Sequence, residues 1–451
     1  MSAIDPAIYE EMEISAETTD GSEKTIDLKL GVVKFNYYED LFSPTVTAQM
    51  LIVSAGGATK TDANGKGAEV LDTVYSGLPI RGGERVRVKI KPNSQSNIAL
   101  EFDTPEKYFY VSNVARQFSD GSKEIFTLDL VSREAITNET VRVGKKFPTS
   151  QKISSSVKDI LENYLHVDKV GIVEETQNTY GFIGNMKKPV NLITWLASKS
   201  VSGLAKPAED SSAGFVFFET KDGFNFMSLD MLMESEPYVQ DYIFTPGVMS
   251  TDDPNKDFKI LTYATNRNQD LIGKLERGAF SSVRYYINPV SFKPVISVFN
   301  AKDYMGKANN LGDKDILLPK VDDESDKTLG DLPTRIFVGM LDVGTIEEDA
   351  SDEGWNSPVN RNADPAKIHS QSMMRYNQIF TQEVDIQIPL NTNLTAGTII
   401  RCDFPQLSNV KRKQPDPEIS GLYMIKELAH YFDGRGSYSQ LKIIRDSFGR
   451  K

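Results

Sequence analysis

Phe109-Tyr-Val-Ser-Asn-Val114-Ala-Arg-Gln-Phe118, closed by Asp120-Gly121 and followed by Phe126 to Val131, is answered near the end of the chain by Tyr423-Met-Ile-Lys-Glu-Leu428-Ala-His-Tyr-Phe432, Asp433-Gly434 and Tyr438 to Ile444. Each stretch is a run of strand formers, an Asp-Gly turn and a second alternating run, the pattern of an antiparallel hairpin. The echo extends upstream. Leu78-Pro-Ile-Arg-Gly-Gly-Glu-Arg-Val86-Arg-Val88 has the form of Leu394-Thr-Ala-Gly-Thr-Ile-Ile400-Arg-Cys402. In both, a leucine precedes a glycine turn, at Gly82 and at Gly397, that opens an alternating strand. Convergent hairpin patterning is the competing explanation; the shared order and spacing favour duplication of one β-barrel.

Around the first copy the period-two pattern repeats at Ile26, Leu28 and Leu30 and at Val86, Val88 and Ile90, with turns at Gly56-Gly57 and Gly82-Gly83. This predicts an N-terminal extension over 1–23 and a first antiparallel barrel over 24–145. The period then becomes helical. Ile153, Val157, Ile160, Leu161 and Tyr164 share a face behind Ser154 to Ser156 as N-cap candidates, and a second helix from Pro189 carries Trp195 among apolar neighbours. Phe215 to Phe218, Lys221-Asp-Gly223 and Phe224 to Leu229 complete a small α+β domain over 146–237. Strand signals at Phe258 to Tyr263 and Val283 to Ile287 assign 238–290 to the first part of a second barrel. An Asp/Glu/Asn/Gly/Pro-rich stretch, peaking at Asp322 to Asp326 and Glu347 to Asp349, marks 291–370 as an acidic inserted domain with long loops, and 371–451 completes the second barrel. The fold class is α+β, mainly β: two related antiparallel β-barrels, a small α+β domain and an inserted loop-rich domain.

Composition narrows the function. The chain has 451 residues and a net charge of −12, so phosphate binding is a poor source of affinity and duplex DNA should pass it without tight binding. One cysteine, Cys402, allows neither an intrachain disulfide nor a cysteine metal site, and reads as a small buried hydrophobe. Met1 to Ser15 is acidic and unlike a signal peptide, and apolar runs such as Leu192 to Ala197 fall short of a membrane span. His166, His369 and His430 are scattered, which gives a triad or metal cluster little to build on. Gly65-Lys66 lacks the rest of a phosphate loop, with Lys60 and Gly67 at the deciding positions, and Asp313-Lys-Asp315 lacks the rest of a calcium loop. Arg81-Gly-Gly83 reads as a turn, and Glu383 and Asp385 on an alternating strand read as solvent-facing. No catalytic, cofactor-binding or metal residues are therefore predicted, and Trp195 is expected to be structural core.

Three further stretches carry a resemblance: Phe226-Met-Ser-Leu-Asp-Met-Leu-Met-Glu-Ser-Glu-Pro-Tyr238, Asn268-Gln-Asp-Leu-Ile272 through Gly278-Ala-Phe-Ser-Ser282, and Gly421-Leu-Tyr423 through Leu441-Lys-Ile-Ile-Arg-Asp446-Ser447. With the domain order, they make the chain resemble, over residues 24 to 447, the central baseplate hub proteins of T4-like contractile-tailed bacteriophages. The resemblance implies a homotrimer whose barrels form a six-barrel ring between a six-fold tail tube and a three-fold spike. Tube, spike and other baseplate proteins would be its partners, DNA would pass through the channel, and assembly in the host bacterial cytoplasm would place it in the virion tail. Leu78, Gly82, Leu394, Gly397, Tyr423 and Asp446 would then be structural positions. The hub of a contractile secretion or injection particle shares this architecture, and a tail-associated cell-wall hydrolase is the alternative from a different class.

Overall fold

The computed structural model describes residues 2–342 and 365–451, apart from 18–20, 22, 56–57, 62–67, 72–73, 75–77, 79, 121–122, 169, 205–212, 246–252, 254, 268, 290–291, 306–308, 315, 317 and 407–413. The Gly56-Gly57 turn, Gly65-Lys66, Gly121 and the acidic peak at 347–349 fall outside those residues.

The first barrel is built from β1 (Ile8–Glu17), β2 (Glu23–Asp27), β3 (Val32–Asp40), β4 (Thr47–Ser54), β5 (Ala58–Thr61), β6 (Ala68–Leu71), β7 (Arg85–Lys91), β8 (Leu100–Phe102), β9 (Phe109–Ser119) and β10 (Glu124–Ser132). Its antiparallel ladder runs β3–β4–β10–β9–β7–β1–β2. The N-terminus is thus no mere extension. β1 places Met12 and Ile14 in the core and Glu11 and Glu13 on the other face, so its acidic residues are the outer half of an alternating strand. The sheet curls on itself: Tyr37 of β3 meets Phe102 of β8 and Phe109 of β9 at ring-centroid distances of 5.2 and 6.4 Å.

The α+β unit follows as α1 (Arg133–Thr140), β11 (Lys146–Phe147), α2 (Ile153–Asn163), β12 (Val170–Val173), β13 (Phe182–Ile183), α3 (Pro189–Ala197), β14 (Phe215–Thr220), β15 (Gly223–Ser228) and α4 (Leu229–Glu234). Lys152 is the N-cap of α2, without a side-chain cap bond, and the serines lie inside its first turn. The β14–β15 hairpin turns through Lys221-Asp222, with Gly223 at φ +129°. Trp195 sits at the margin of this unit's core, half-buried; Tyr180 and Phe182 meet it edge-on at 5.5 and 5.7 Å, and the ammonium groups of Lys187 and Lys199 lie over its ring.

The second barrel comprises β16 (Tyr242–Phe244), β17 (Lys259–Ile260) and β18 (Thr262–Arg267) and, after an insertion, β22 (Gln382–Pro389), β23 (Ile399–Asp403), β24 (Gly421–Asp433) and β25 (Ser437–Arg445). The insertion holds α5 (Leu271–Glu276), β19 (Ser281–Ile287), β20 (Pro294–Asn300), β21 (Arg335–Met340) and α6 (Pro365–Gln378). The Val283 to Ile287 strand, read above with the barrel, pairs instead with β20 and β21 in a separate three-stranded sheet. Asp322 to Asp326, by contrast, is an exposed loop held by Asp322 Oδ1, which accepts from the amides of Glu324 and Ser325.

The duplication is visible bond by bond. The ladder β3–β4–β10–β9–β7 has its counterpart in β18–β22–β25–β24–β23. Asn113, Val114 and Ala115 face Asp129, Leu128 and Thr127, as Glu427, Leu428 and Ala429 face Lys442, Leu441 and Gln440, and each hairpin carries a bulge just before this run. Gly83, at φ +89°, donates its N–H to Val111 O, and Gly397, at φ +86°, donates to Ile425 O. The partner of Gly397 is therefore Gly83 rather than Gly82, which also has positive φ. Counting back from these glycines, Leu394 corresponds to Ile80, with Leu78 two residues earlier; all three are buried. The copies diverge at the next strand, where β7 pairs antiparallel with β1 but β23 pairs parallel with β16.

Candidate assembly interface

The two barrels are joined edge to edge. β24 gives its first residues to β23 and its remainder to β3, with Leu428 opposite Glu39, Ala429 opposite Tyr38, His430 opposite Tyr37 and Phe432 opposite Phe35. Both barrels thus share one ladder and one apolar core. Along the joint, Tyr37 stacks on His430, Phe35 meets Phe432 at 6.2 Å, and the Lys34 ammonium lies over Tyr431. His430 is fully buried, its Nδ1 is 2.8 Å from Ser439 Oγ, and burial with help from the nearby Lys221 charge drives its pKa down to about 3, so the ring is neutral.

The α+β unit covers this joint. Val216 and Phe218 of β14, with Leu229 and Leu232 of α4, pack against Leu41, Ile399, Met424 and Ile444 from the two barrels. Polar anchors fix the seat. Buried Glu39 accepts from Tyr37 Oη at 2.8 Å and from the amides of Lys221 and Ala396 at 2.9 and 2.7 Å. Glu219 accepts from the Val46 amide and the Ser132 hydroxyl at 2.9 and 2.8 Å, and burial, reinforced by the Glu134 charge, pushes its pKa up to about 8. Glu219 and Glu134 border a cavity of about 390 Å³ that Phe102, Tyr108 and Lys221 also line. A raised carboxyl in a cleft can signal acid–base chemistry. Here both donors to Glu219 come from the first barrel, so it acts as an anchor of the neighbouring unit.

A second buried anchor lies beneath α6. Arg375 donates to Asp230 of α4 at 2.6 Å, to Asp446 after β25 at 3.4 Å and to Asn309 O at 3.1 Å. Asp446 also accepts from the Leu311 amide. Tyr423 is buried with its hydroxyl donating to Ile419 O at 2.6 Å and the Arg445 guanidinium 4.6 Å over its ring. Cys402 is wholly buried, and burial raises its thiol pKa far above the usual range. Sequence patterning did not single out Glu39, Glu219 or Arg375, because a buried charge in an alternating strand or a polar helix looks like a solvent-facing one.

Among the described residues, two strand edges and one sheet face lie open. Beyond Tyr110, the side of β9 that faces away from β10 pairs with no strand among the described residues, and the same holds for the side of β18 that faces away from β22. The inserted sheet is open in another way. Val283, Tyr285 and Ile287 of β19 stand in register with Val298, Ile296 and Pro294 of β20 and with Ile336, Val338 and Met340 of β21, all on its outward face. Val338 is 72% exposed and Met340 74%. A contiguous apolar face of this kind marks a surface that is covered on association. Its other face packs on α6 through Arg284, which approaches His369 Nδ1 at 2.8 Å. Among the described residues no helix is long and apolar enough to cross a membrane.

No protein-family model matches the chain. Among solved structures, the tail protein from Neisseria meningitidis MC58 is similar over 97% of each chain, with a TM-score of 0.50 and 10% identity. The 43 kDa tail protein of prophage MuSo2 from Shewanella oneidensis matches over 97% of this chain and 98% of its own, with a TM-score of 0.49 and 10% identity. The fold is thus that of the Neisseria tail protein. More particularly, the chain is 22% identical over 301 residues to the probable baseplate hub protein gp334 of Vibrio phage KVP40, a match covering 65% of this chain and 66% of that protein, just under two thirds of its length. The resemblance to baseplate hub proteins read from the sequence is borne out.

Proposed function

We propose that this chain is the structural hub of a contractile phage tail baseplate, acting as a symmetry adaptor without catalysis or cofactor. Three copies form a ring of six barrels, which presents six nearly equivalent surfaces to a hexameric tail tube and three identical ones to a trimeric spike. The observation that carries this reading is the pair of barrels with matching strand order, register and bulge, fused through β3 and β24. Closed assemblies repeat each interface by their symmetry operator, so a three-fold ring meets a six-fold partner without mismatch only if each chain supplies two like units. The apolar face on β19–β21 and the other baseplate proteins are natural partners, and a net charge of −12 suits a ring that DNA traverses without binding. Assembly takes place in the host bacterial cytoplasm and the finished protein resides in the virion tail.

Electron microscopy of intact tails tests this. The expected result is three copies of the chain as a ring between tube and spike; six copies, or no copy in the tail, overturns the adaptor.

A further inference from the structure

We infer that β9 of one copy pairs with β18 of a second copy, repeating between molecules the β3–β24 ladder that joins the barrels within one. This rests on the ring reading above and names the surfaces that close the ring.

Corresponding strands in the two barrels have unequal fates. Phe109–Ala115 of β9 corresponds to Tyr423–Ala429 of β24, because each run faces the matching residues of its hairpin partner with the bulge in the same place. Lys34–Tyr37 of β3 corresponds to Thr262–Thr265 of β18, because Leu51–Ala48 and Gln387–Val384 are their respective partners. Within the molecule the β24-type edge of the second barrel meets the β3-type edge of the first. That leaves one β24-type edge, on β9, and one β3-type edge, on β18, in every copy. These are the two open edges described above. Unpaired N–H and C=O groups along such an edge form a template for another strand.

Exposure agrees. Phe118, near the end of β9 opposite Ile125 and beyond a second bulge that β24 lacks, is 59% exposed. Thr262, Ala264, Thr265 and Asn266 of β18 are also exposed. The occupant is a second copy of this chain, since the one surface already known to complement a β24-type edge is a β3-type edge. The contact is head-to-tail, and a head-to-tail contact closes into a ring when its rotation divides a full turn.

The register follows from the internal joint. Ala429 faces Tyr38 across β24 and β3. Ala115 corresponds to Ala429, and Arg267, opposite Glu383, corresponds to Tyr38, opposite Thr47. Ala115 of one copy therefore faces Arg267 of the next. Facing residues of antiparallel strands have Cα atoms about 4.5–5.5 Å apart, within disulfide range.

The test is the double variant Ala115→Cys with Arg267→Cys in assembled tails, oxidised with copper phenanthroline. It should convert the chain from monomer to a reducible covalent trimer on a denaturing gel, while each single variant stays monomeric. A tail that contains the double variant but gives no cross-link overturns this inference and leaves the hub reading standing. A tail that lacks even the wild-type chain overturns the hub reading and the ring with it. If the double variant fails to fold or incorporate, density of native tails decides instead: Ala115 of one copy adjoins Arg267 of the next, or the inference falls.

Discussion

The imidazole of His430 lies stacked on the ring of Tyr37, with centroids 6.1 Å apart and planes 20° from parallel, across the seam where the two barrels meet. Burial holds it neutral in the fold, with a pKa of about 3, against about 6.5 in an unfolded chain. A depressed folded pKa contributes stability that is present above the unfolded value and lost as pH falls toward the folded one. The thermal midpoint should therefore drop more steeply from pH 6.5 toward pH 4 in the wild type than in His430→Phe. Equal slopes would show that this ring is not what senses acid at the seam.

Glu219 works in the opposite direction. Its folded pKa near 8 lies above that of a free glutamate, so its stabilisation is full below about pH 4.5 and is lost as pH rises through 8. Glu219→Gln, which keeps an acceptor for the Val46 amide, should remove that dependence. Denaturant titrations should place variant and wild type closest near pH 5 and show the variant gaining on the order of a few kcal/mol by pH 8.

Arg375 is the sole side-chain cation within salt-bridge distance of both Asp230 and Asp446 among the described residues. Arg375→Ala would strand two buried carboxylates and should cost about 3–5 kcal/mol of stability. Arg375→Met in the background of Asp230→Asn and Asp446→Asn should recover much of that loss, measured by chemical denaturation.

Gly83 and Gly397 offer a comparison within one molecule. Both need positive φ, so alanine strains either by about 1–2 kcal/mol. A Cβ on Gly397 would also come within 3.1 Å of Leu232 and 3.4 Å of Phe218, whereas one on Gly83 meets nothing within 4 Å. Gly397→Ala should thus be the more damaging in equilibrium unfolding. Equal losses would mean that the α+β unit is not seated tightly on the second barrel.

These contrasts also explain what could be read from sequence. The paired hairpins and glycine turns were legible because register is set by period-two patterning and turn chemistry, both local. In β1, Glu10, Glu11 and Glu13 outnumber the inward Met12 and Ile14, so the alternating strand has the composition of an acidic tail. The apolar outward face of β19 gives it the pattern of any half-buried strand, so its sequence does not distinguish the inserted sheet from the barrel. α6 buries Ser370, Gln371, Ser372 and Arg375, which leaves only a weak apolar stripe as a helical signal. The seam itself was out of reach: the chain shows which residues alternate, while which edges meet depends on tertiary geometry.

In the ring proposed above, the fusion of the barrels through β3 and β24 would also set the kinetics of assembly. Six independent barrels would need five encounters, each losing translational and rotational freedom, before the last interface closes. Tethering in pairs turns three of these into intramolecular events, with effective concentrations on the order of millimolar even for a flexible link. Here the two edges are already locked in register. Fused pairs could then nucleate the proposed ring at a dilution where separate barrels would stay apart, and the two barrels cannot be supplied in unequal numbers.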